Sequence, residues 1–442
     1  MRAMLIGLFT AVLMTSVASA EISGVVIKQT VDVYGEPSFE SPKVSTLKRD
    51  AAITVTAQQG LWYALQLAAG ATGYVRVNDV RINYGGVEDG DANLRSLTSG
   101  KAGVGRVTET AGVRGIDESD LKSASFNQAQ LDAMVANRVD APAAAAHAGE
   151  QHWEATAVAY ASEAKPHKNG GKKGTESSAS GGEATNALKS VLGSFSSGLS
   201  SVLGTADKVA PKPEAEQSAE ELALGPQIAG RILGARPLWN DSGAQQRVNL
   251  IGRWVASQTS RSELPWTFGV IDSPEINAFA APGGYVLLTR GMYEILSTDS
   301  EVAAVLGHEI SHCVQRDHYN VIRKQEIATT GKDLAMGEVQ TGTDTAAGLY
   351  AREYVEKHGA AVMLASLDRE AEYRADEAAE IYVARAGMNP VALYAVLQKM
   401  TAAGKQSASL AQLYKTHPPL DARMNHIDRR DYKGLKPYTT RE

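Results

Sequence analysis

Residues 301–318 read EVAAVLGHEISHCVQRDH, and this segment restricts the fold more than any other part of the chain. Thr298 with Glu301 three residues later is a capping-box signal. Val302, Val305, Leu306, Ile310 and Val314 then fall on one side of a helical repeat. On that helix His308 and His312 lie one turn apart and can aim both imidazoles at one ion. Glu309 sits beside them, placed to reach a water on the ion rather than the ion itself. The pattern H-E-x-x-H is that of two zinc-ligating histidines with a glutamate as general base. A catalytic zinc takes three protein ligands and leaves a position open for water, so the fold must bring a third donor to this helix.

A second acidic helix is available to supply it. Residues 366–386 read SLDREAEYRADEAAEIYVARA, stop at Gly387, and restart with Asn389 as cap and Pro390 at the first helical position. Glu372 and Asp376 are four residues apart and share a face of that helix. His318 competes, because its spacing from His308 is that of the long H-E-x-x-H-x-x-G-x-x-H motif, whose glycine breaks the helix. That glycine position is Gln315 here. If the helix continues, His318 lies about 80° from His308, about 120° from His312 and three turns beyond the first, and it misses the ion. The expected third ligand is Glu372, with His318 an outer or surface histidine. Cys313 is about 100° from His312 and about 140° from His308 on the same helix, so it reads as a packing residue.

The rest of the chain sets the context. With 442 residues there is room for two or three domains. The net charge of −6 and the dispersed basic residues argue against nucleic acid as a partner. Residues 1–20 combine Arg2, an apolar centre and the Ala18-Ser19-Ala20 site, the three parts of a signal peptide. Export follows, to the periplasm or beyond, and no later stretch reaches the roughly 20 apolar residues of a membrane span. Peripheral membrane contact stays open. The single cysteine excludes an intramolecular disulfide.

Between residues 24 and 85, short β-branched and aromatic runs alternate with turn signals such as Gly35-Glu36-Pro37, as in a small all-β domain. Residues 86–218 are rich in Ala, Gly and Ser and read as a largely flexible linker. Within it, residues 187–204 carry apolar positions at helical spacing and could dock on a partner, a membrane surface or the rest of the protein. From 219 to 430 the pattern is that of a helix-rich α+β domain. Helical spacing runs over Ile228 to Leu233 and Val248 to Val255, and strands over Trp266 to Ile271 and Gly284 to Leu288.

The order of the segments Gly60-Leu61-Trp62-Tyr63 and Gly73-Tyr74-Val75 resembles that of bacterial SH3-like barrels. That resemblance implies either a cell-wall or protein ligand or a spacer role. Four further segments, N-A-F-A-A-P-G-G-Y from Asn277, G-H-E-I-S-H, E-Y-R-A-D and T-H-P-P-L-D-A-R, occur in that order. Together they resemble the HtpX-like and CAAX-prenyl-protease-like zinc metallopeptidases, and the periplasmic members without transmembrane helices most of all. The resemblance implies a zincin-type fold, one zinc per chain, Glu372 as third ligand, and Asp376 orienting a ligating histidine through its second nitrogen. It also implies that His417 faces the site, as a temporary fourth ligand or as a donor to the tetrahedral intermediate, with Arg423 anchoring it. The strand following Asn277 becomes an edge that pairs with extended substrate. The implied activity is hydrolysis of peptide bonds in exported or misfolded envelope proteins. The alternative is a latent peptidase that acts mainly as a chaperone-like or cell-wall-associated binding protein.

Overall fold

The computed structural model describes residues 22–82, 116, 118–160, 212–330, 346–403 and 408–441. The signal-peptide residues 1–20 and the amphipathic segment 187–204 lie outside the described residues.

Seven strands form the N-terminal sheet: β1 Ile22–Val26, β2 Thr30–Tyr34, β3 Lys43–Lys48, β4 Ala52–Gln59, β5 Trp62–Gln66, β6 Thr72–Arg76 and β7 Val80–Ile82. All pairs are antiparallel, in the order β3-β2-β6-β5-β4-β1-β7. Alternate residues of β1, β2 and β4 point inward, the period-2 signature that the apolar runs announce.

The second part of the chain is helix-rich, and its three strands are buried at every residue. Its elements are α1 Glu118–Ser123, α2 Gln128–Ala136, α3 Ala141–Glu150, α4 Glu214–Ala235, α5 Ser242–Ala256, β8 Thr267–Ile271, β9 Ala278–Ala281, β10 Tyr285–Thr289 and α6 Arg290–Ile295. There follow α7 Asp299–Gln315, α8 Asp317–Thr330, α9 Ala346–His358, α10 Arg369–Arg385, α11 Ala392–Ala402, α12 Leu413–Thr416 and α13 Leu420–Arg430. The three strands lie in the order β8-β10-β9, with β8 parallel and β9 antiparallel to β10. β9 is therefore an edge. The turn into β10 needs Gly283 and Gly284 at φ of +73° and +90°.

Part of the expected linker is ordered helix. In α3 the alanine run buries Ala144 and Ala148 against α5, and Asp140 caps the helix by accepting from the Ala143 amide. Small side chains let the two helices approach closely, so an alanine-rich stretch packs here without large apolar residues. Gly230 and Gly234 of α4 lie against Phe126 and Ser125, and the 151–160 stretch bonds to α10 through the Thr156 amide and the Arg385 carbonyl.

The N-terminal sheet shares its core with the helical part: Ile22, Val26, Val55 and Val80 belong to the same buried cluster as Val302, Leu306 and Leu397. Polar contacts fix the orientation. Gln398 of α11 accepts from the Ile82 amide (2.9 Å) and donates to the Val77 carbonyl (2.7 Å), Arg81 pairs with Asp428 (2.5 Å), and Gln58 of β4 donates to Glu301 at the start of α7 (3.3 Å).

Candidate metal centre

α7 begins as the sequence predicts, with Thr298 and Glu301 making both halves of the capping box. It then runs buried through the protein between α5, α10, α11 and β9. Gly307 faces α10, and a Cβ there would lie 3.3 Å from Ala379 Cα. This close crossing brings the first turn of α10, where Asp368 caps the helix, alongside the two histidines.

Donor atoms of His308, His312, Glu372 and His417 all lie within 4.8 Å of one another. His308 Nε2 and His312 Nε2 are 3.2 Å apart. Glu372 places Oε2 3.6 Å from His308 Nε2 and Oε1 3.8 Å from His312 Nε2. His417 Nε2 is 3.7 Å from Glu372 Oε2. Glu309 and the Asn277–Ala280 stretch line the same cleft.

Each of the two α7 histidines has a carboxylate on its other nitrogen. His308 Nδ1 is 3.0 Å from Asp376 Oδ1, and His312 Nδ1 is 2.9 Å from Asp317 Oδ2. Donation from Nδ1 leaves each Nε2 lone pair facing the centre of the cluster. Arg423 Nη2 also lies 3.3 Å from His308 Nδ1, but two donors cannot share that contact; the guanidinium belongs to Asp376, which it grips through Nε (2.9 Å) and Nη2. The Thr416 hydroxyl is 2.8 Å from His417 Nδ1 and 3.2 Å from the Gln412 carbonyl. Donating to the carbonyl, it accepts from Nδ1 and leaves Nε2 of His417 free as well.

The electrostatics match this geometry. Burial opposes a charged Glu372, yet the imidazoles of His417, His308 and His312 hold its carboxyl well below the usual carboxylate range. Burial also opposes a charged Asp376, and Arg423 and His308 overcome it, bringing that group to about 2. Glu309 is pushed up by burial, and burial takes His417 down to about 4. A buried carboxylate that stays ionised beside converging imidazole nitrogens is a donor set for a divalent cation. Glu372 Oε2 is fully buried and has no hydrogen-bond partner among the described residues, as fits an oxygen reserved for such a group. The residues present therefore fit a metal.

One expectation narrows and another changes. Of the outer and surface positions expected for His318, it takes the outer one: α7 ends at Gln315, Arg316 takes a left-handed conformation (φ 59°, ψ 32°), and the chain turns back. His318 is thereby buried, lining the cleft with its ring 5.9 Å from that of His312, though outside the donor cluster. Arg423 holds Asp376, whereas His417 is anchored by Thr416. Cys313 packs as expected, its thiol facing the Ala281 carbonyl of β9 (3.3 Å), with burial pushing its pKa far up. Asp317 was not foreseen; the available signal was a carboxylate five residues after the second histidine, next to a possible helix break.

Among the described residues no helix is long and apolar enough to cross a membrane. Residues 242–431 match the model of peptidase family M48. The beta-barrel assembly-enhancing protease of Escherichia coli (strain K12) is 28% identical over 213 residues, covering 46% of this chain and 42% of that protein. The protein of the same name from Yersinia pestis is 27% identical over 229 residues, covering 50% and 46%. The mitochondrial metalloendopeptidase OMA1 of Schizosaccharomyces pombe is 25% identical over 181 residues, covering 41% and 51%. The chain spans about half the length of the curated relatives it matches, or less. With a family match that contains α5 to α13 and the whole donor cluster, residues 242–431 of this chain form a peptidase domain of family M48.

Proposed function

We propose that this protein is an exported zinc metalloendopeptidase of the periplasm, with His308, His312 and Glu372 as zinc ligands and Glu309 as general base. The observation that carries the reading is the convergence of three buried donor groups beside a second carboxylate, Glu309, in a cleft walled by an edge strand. The chemistry zinc supplies at such a site is polarisation of the scissile carbonyl and acidification of the attacking water. Glu309, raised by burial, takes a proton from that water and passes it to the leaving amine. Asp376 keeps His308 in the tautomer that ligation needs. β9 pairs with an extended substrate through its backbone, so the enzyme accepts many sequences. Exported or misfolded envelope proteins fit that tolerance.

His417 supports a second reading. Its Nε2 lies close enough to Glu372 to join the ligand set; a fourth protein ligand takes the place of water, and the resting enzyme is then latent and acts as a binding protein. When it leaves that position, the same imidazole serves as a donor to the tetrahedral oxyanion once its proton sits on Nε2, with the Thr416 hydroxyl turned to donate to Nδ1.

The test is cleavage of an unstructured protein by wild type, Glu309→Gln, and wild type with chelator. Removing the base lowers kcat by about 10²-fold or more, and chelation abolishes cleavage until zinc is restored. Unchanged turnover by Glu309→Gln refutes the mechanism. Rescue of unfolded clients that survives in Glu309→Gln favours the binding role.

A further inference from the structure

We propose that Asp317 is a positioning residue for His312, and that the left-handed turn at Arg316, fastened by helix α4, is what puts it there. The proposal rests on His312 being a zinc ligand.

The geometry does not arise from a helix. Five residues along a continuous helix, a side chain lies about 140° around the axis and more than a turn away, so Asp317 could not meet the ring of His312. It meets it because α7 stops. Arg316 at φ 59° turns the chain back and starts α8 at Asp317. Asp317 Oδ2 then accepts from His312 Nδ1 at 2.9 Å, with both residues buried.

A left-handed conformation is unusual for a residue with a Cβ, and here surrounding contacts enforce it. Arg316 Nε donates to Glu221 Oε2 (2.5 Å), and its Nη2 donates to Glu214 (2.5 Å) and Ser218 (2.9 Å), all three on α4. Glu221 is fully buried and also receives both terminal nitrogens of Arg261 (3.0 and 2.8 Å). Arg261 Nη1 in turn donates to the Cys313 carbonyl (3.0 Å), one of the last carbonyls of α7. One buried glutamate therefore holds two arginines, of which one caps the end of α7 and the other is the residue that turns.

The two histidines are thus served from different directions. His308 takes its carboxylate from Asp376 on a neighbouring helix, and His312 takes its own from the turn that ends α7. Without Asp317, His312 loses the acceptor that fixes its tautomer and ring angle. Arg374, 3.7 Å from Asp317 Oδ1, also faces this carboxylate.

The experiment measures zinc affinity by competition with a chromophoric chelator on the full chain. Wild type is compared with Asp317→Ala and Asp317→Asn, together with thermal midpoints of metal-free and zinc-loaded protein and the absorption spectrum of the cobalt-substituted form. Asparagine still accepts from Nδ1–H and still suits a helix start, so it separates positioning from folding. Expected is a loss in affinity of about 10- to 100-fold for Asp317→Ala and a smaller loss for Asp317→Asn. The cobalt bands shift, and the metal-free midpoint stays within about 2 °C, well under what a core defect produces. Zinc affinity of Asp317→Ala within about twofold of wild type overturns the proposal, being far below the effect of losing such a partner. So does a loss that asparagine fails to rescue and that the metal-free midpoint mirrors. If wild type binds no zinc, or His308→Ala binds it as tightly, the failure lies in the assignment of the metal site itself.

Discussion

Lys399 is the most exacting test of how the peptidase helix is held. Its side chain and that of Glu301 have no solvent exposure at all. The ammonium donates to the Ile295 carbonyl (3.1 Å), the Ser297 hydroxyl (2.9 Å) and Glu301 Oε2 (2.7 Å), so its three protons are all placed. Glu301 completes the capping box by accepting from the Ser297 and Thr298 amides, and its other oxygen takes Gln58 of the N-terminal sheet. Lys399→Met preserves most of the volume but leaves a buried carboxylate with only neutral donors. Breaking a buried pair from one side costs about 3–5 kcal/mol, which for a domain of this size is a fall in midpoint of about 10 °C. Adding Glu301→Gln to Lys399→Met removes the stranded charge and keeps a capping-box residue, so the double variant recovers about half of the loss or more, as replaced ion pairs commonly do. Urea unfolding followed by circular dichroism, on both single variants and the double, gives the coupling energy. A single Lys399→Met change that costs less than about 1 kcal/mol, the range of an exposed pair, refutes the reasoning, as does a double variant no better than the sum of the singles.

Two further outcomes follow from the helices around the site. Gly307→Ala sets a methyl 3.3 Å from Ala379 Cα and shifts zinc affinity little, whereas Gly307→Val forces α7 and α10 apart at an overpacking cost of about 1–3 kcal/mol; chelator competition reads the resulting loss of affinity as Glu372 withdraws. Glu380 is pushed up to about 8 by burial, Arg430 reaching only one of its oxygens (3.0 Å) and the other having no partner among the described residues. The folded state thus keeps a proton that the unfolded chain gives up at the ordinary glutamate pKa, and stability falls as pH rises from about 4.5 to about 8. Glu380→Gln removes that dependence: thermal scans show its midpoint gaining on wild type from pH 5 to pH 8, and parallel curves contradict the shift.

The parts of the site that were legible in the sequence are those set by local spacing. His308, Glu309 and His312 follow from one helical turn, Thr298 and Glu301 from a three-residue cap, and Glu372 with Asp376 from a second turn of helix; the structure forms the cap and gathers His308, His312 and Glu372, with Asp376 on His308 and Glu309 in the same cleft. What was illegible depends on contacts made across the chain. Gln315 offers no sign that the helix stops one residue later, because the turn is made by an arginine, held left-handed by Glu221 from 95 residues upstream. The burial of His318 and the reach of Asp317 both follow from that turn. Similarly, composition marks residues 141–150 as poor in large apolar groups, but it cannot show that α5 offers a surface on which alanines pack closely. The partner of Arg423 went astray for a related reason: His417 is near in sequence, but Asp376 is the nearer charge in space.

These long-range contacts share a pattern that bears on the metal centre. Helix α7 is gripped at both ends by buried ion pairs, Glu301 with Lys399 at its start and Arg316 and Arg261 with Glu221 at its end. The partners come from α11 and from α4, and the N-terminal sheet adds Gln58 to the first of them. α4 and the sheet both lie outside the 242–431 stretch that matches the peptidase family. Desolvated pairs of this kind contribute little net stability compared with apolar packing, but they penalise every geometry in which a charge is stranded. Their effect at α7 is therefore on position rather than on folding energy. His308 and His312 are held between two fixed ends, and the segments outside the family match act on the site by fixing where those ends lie.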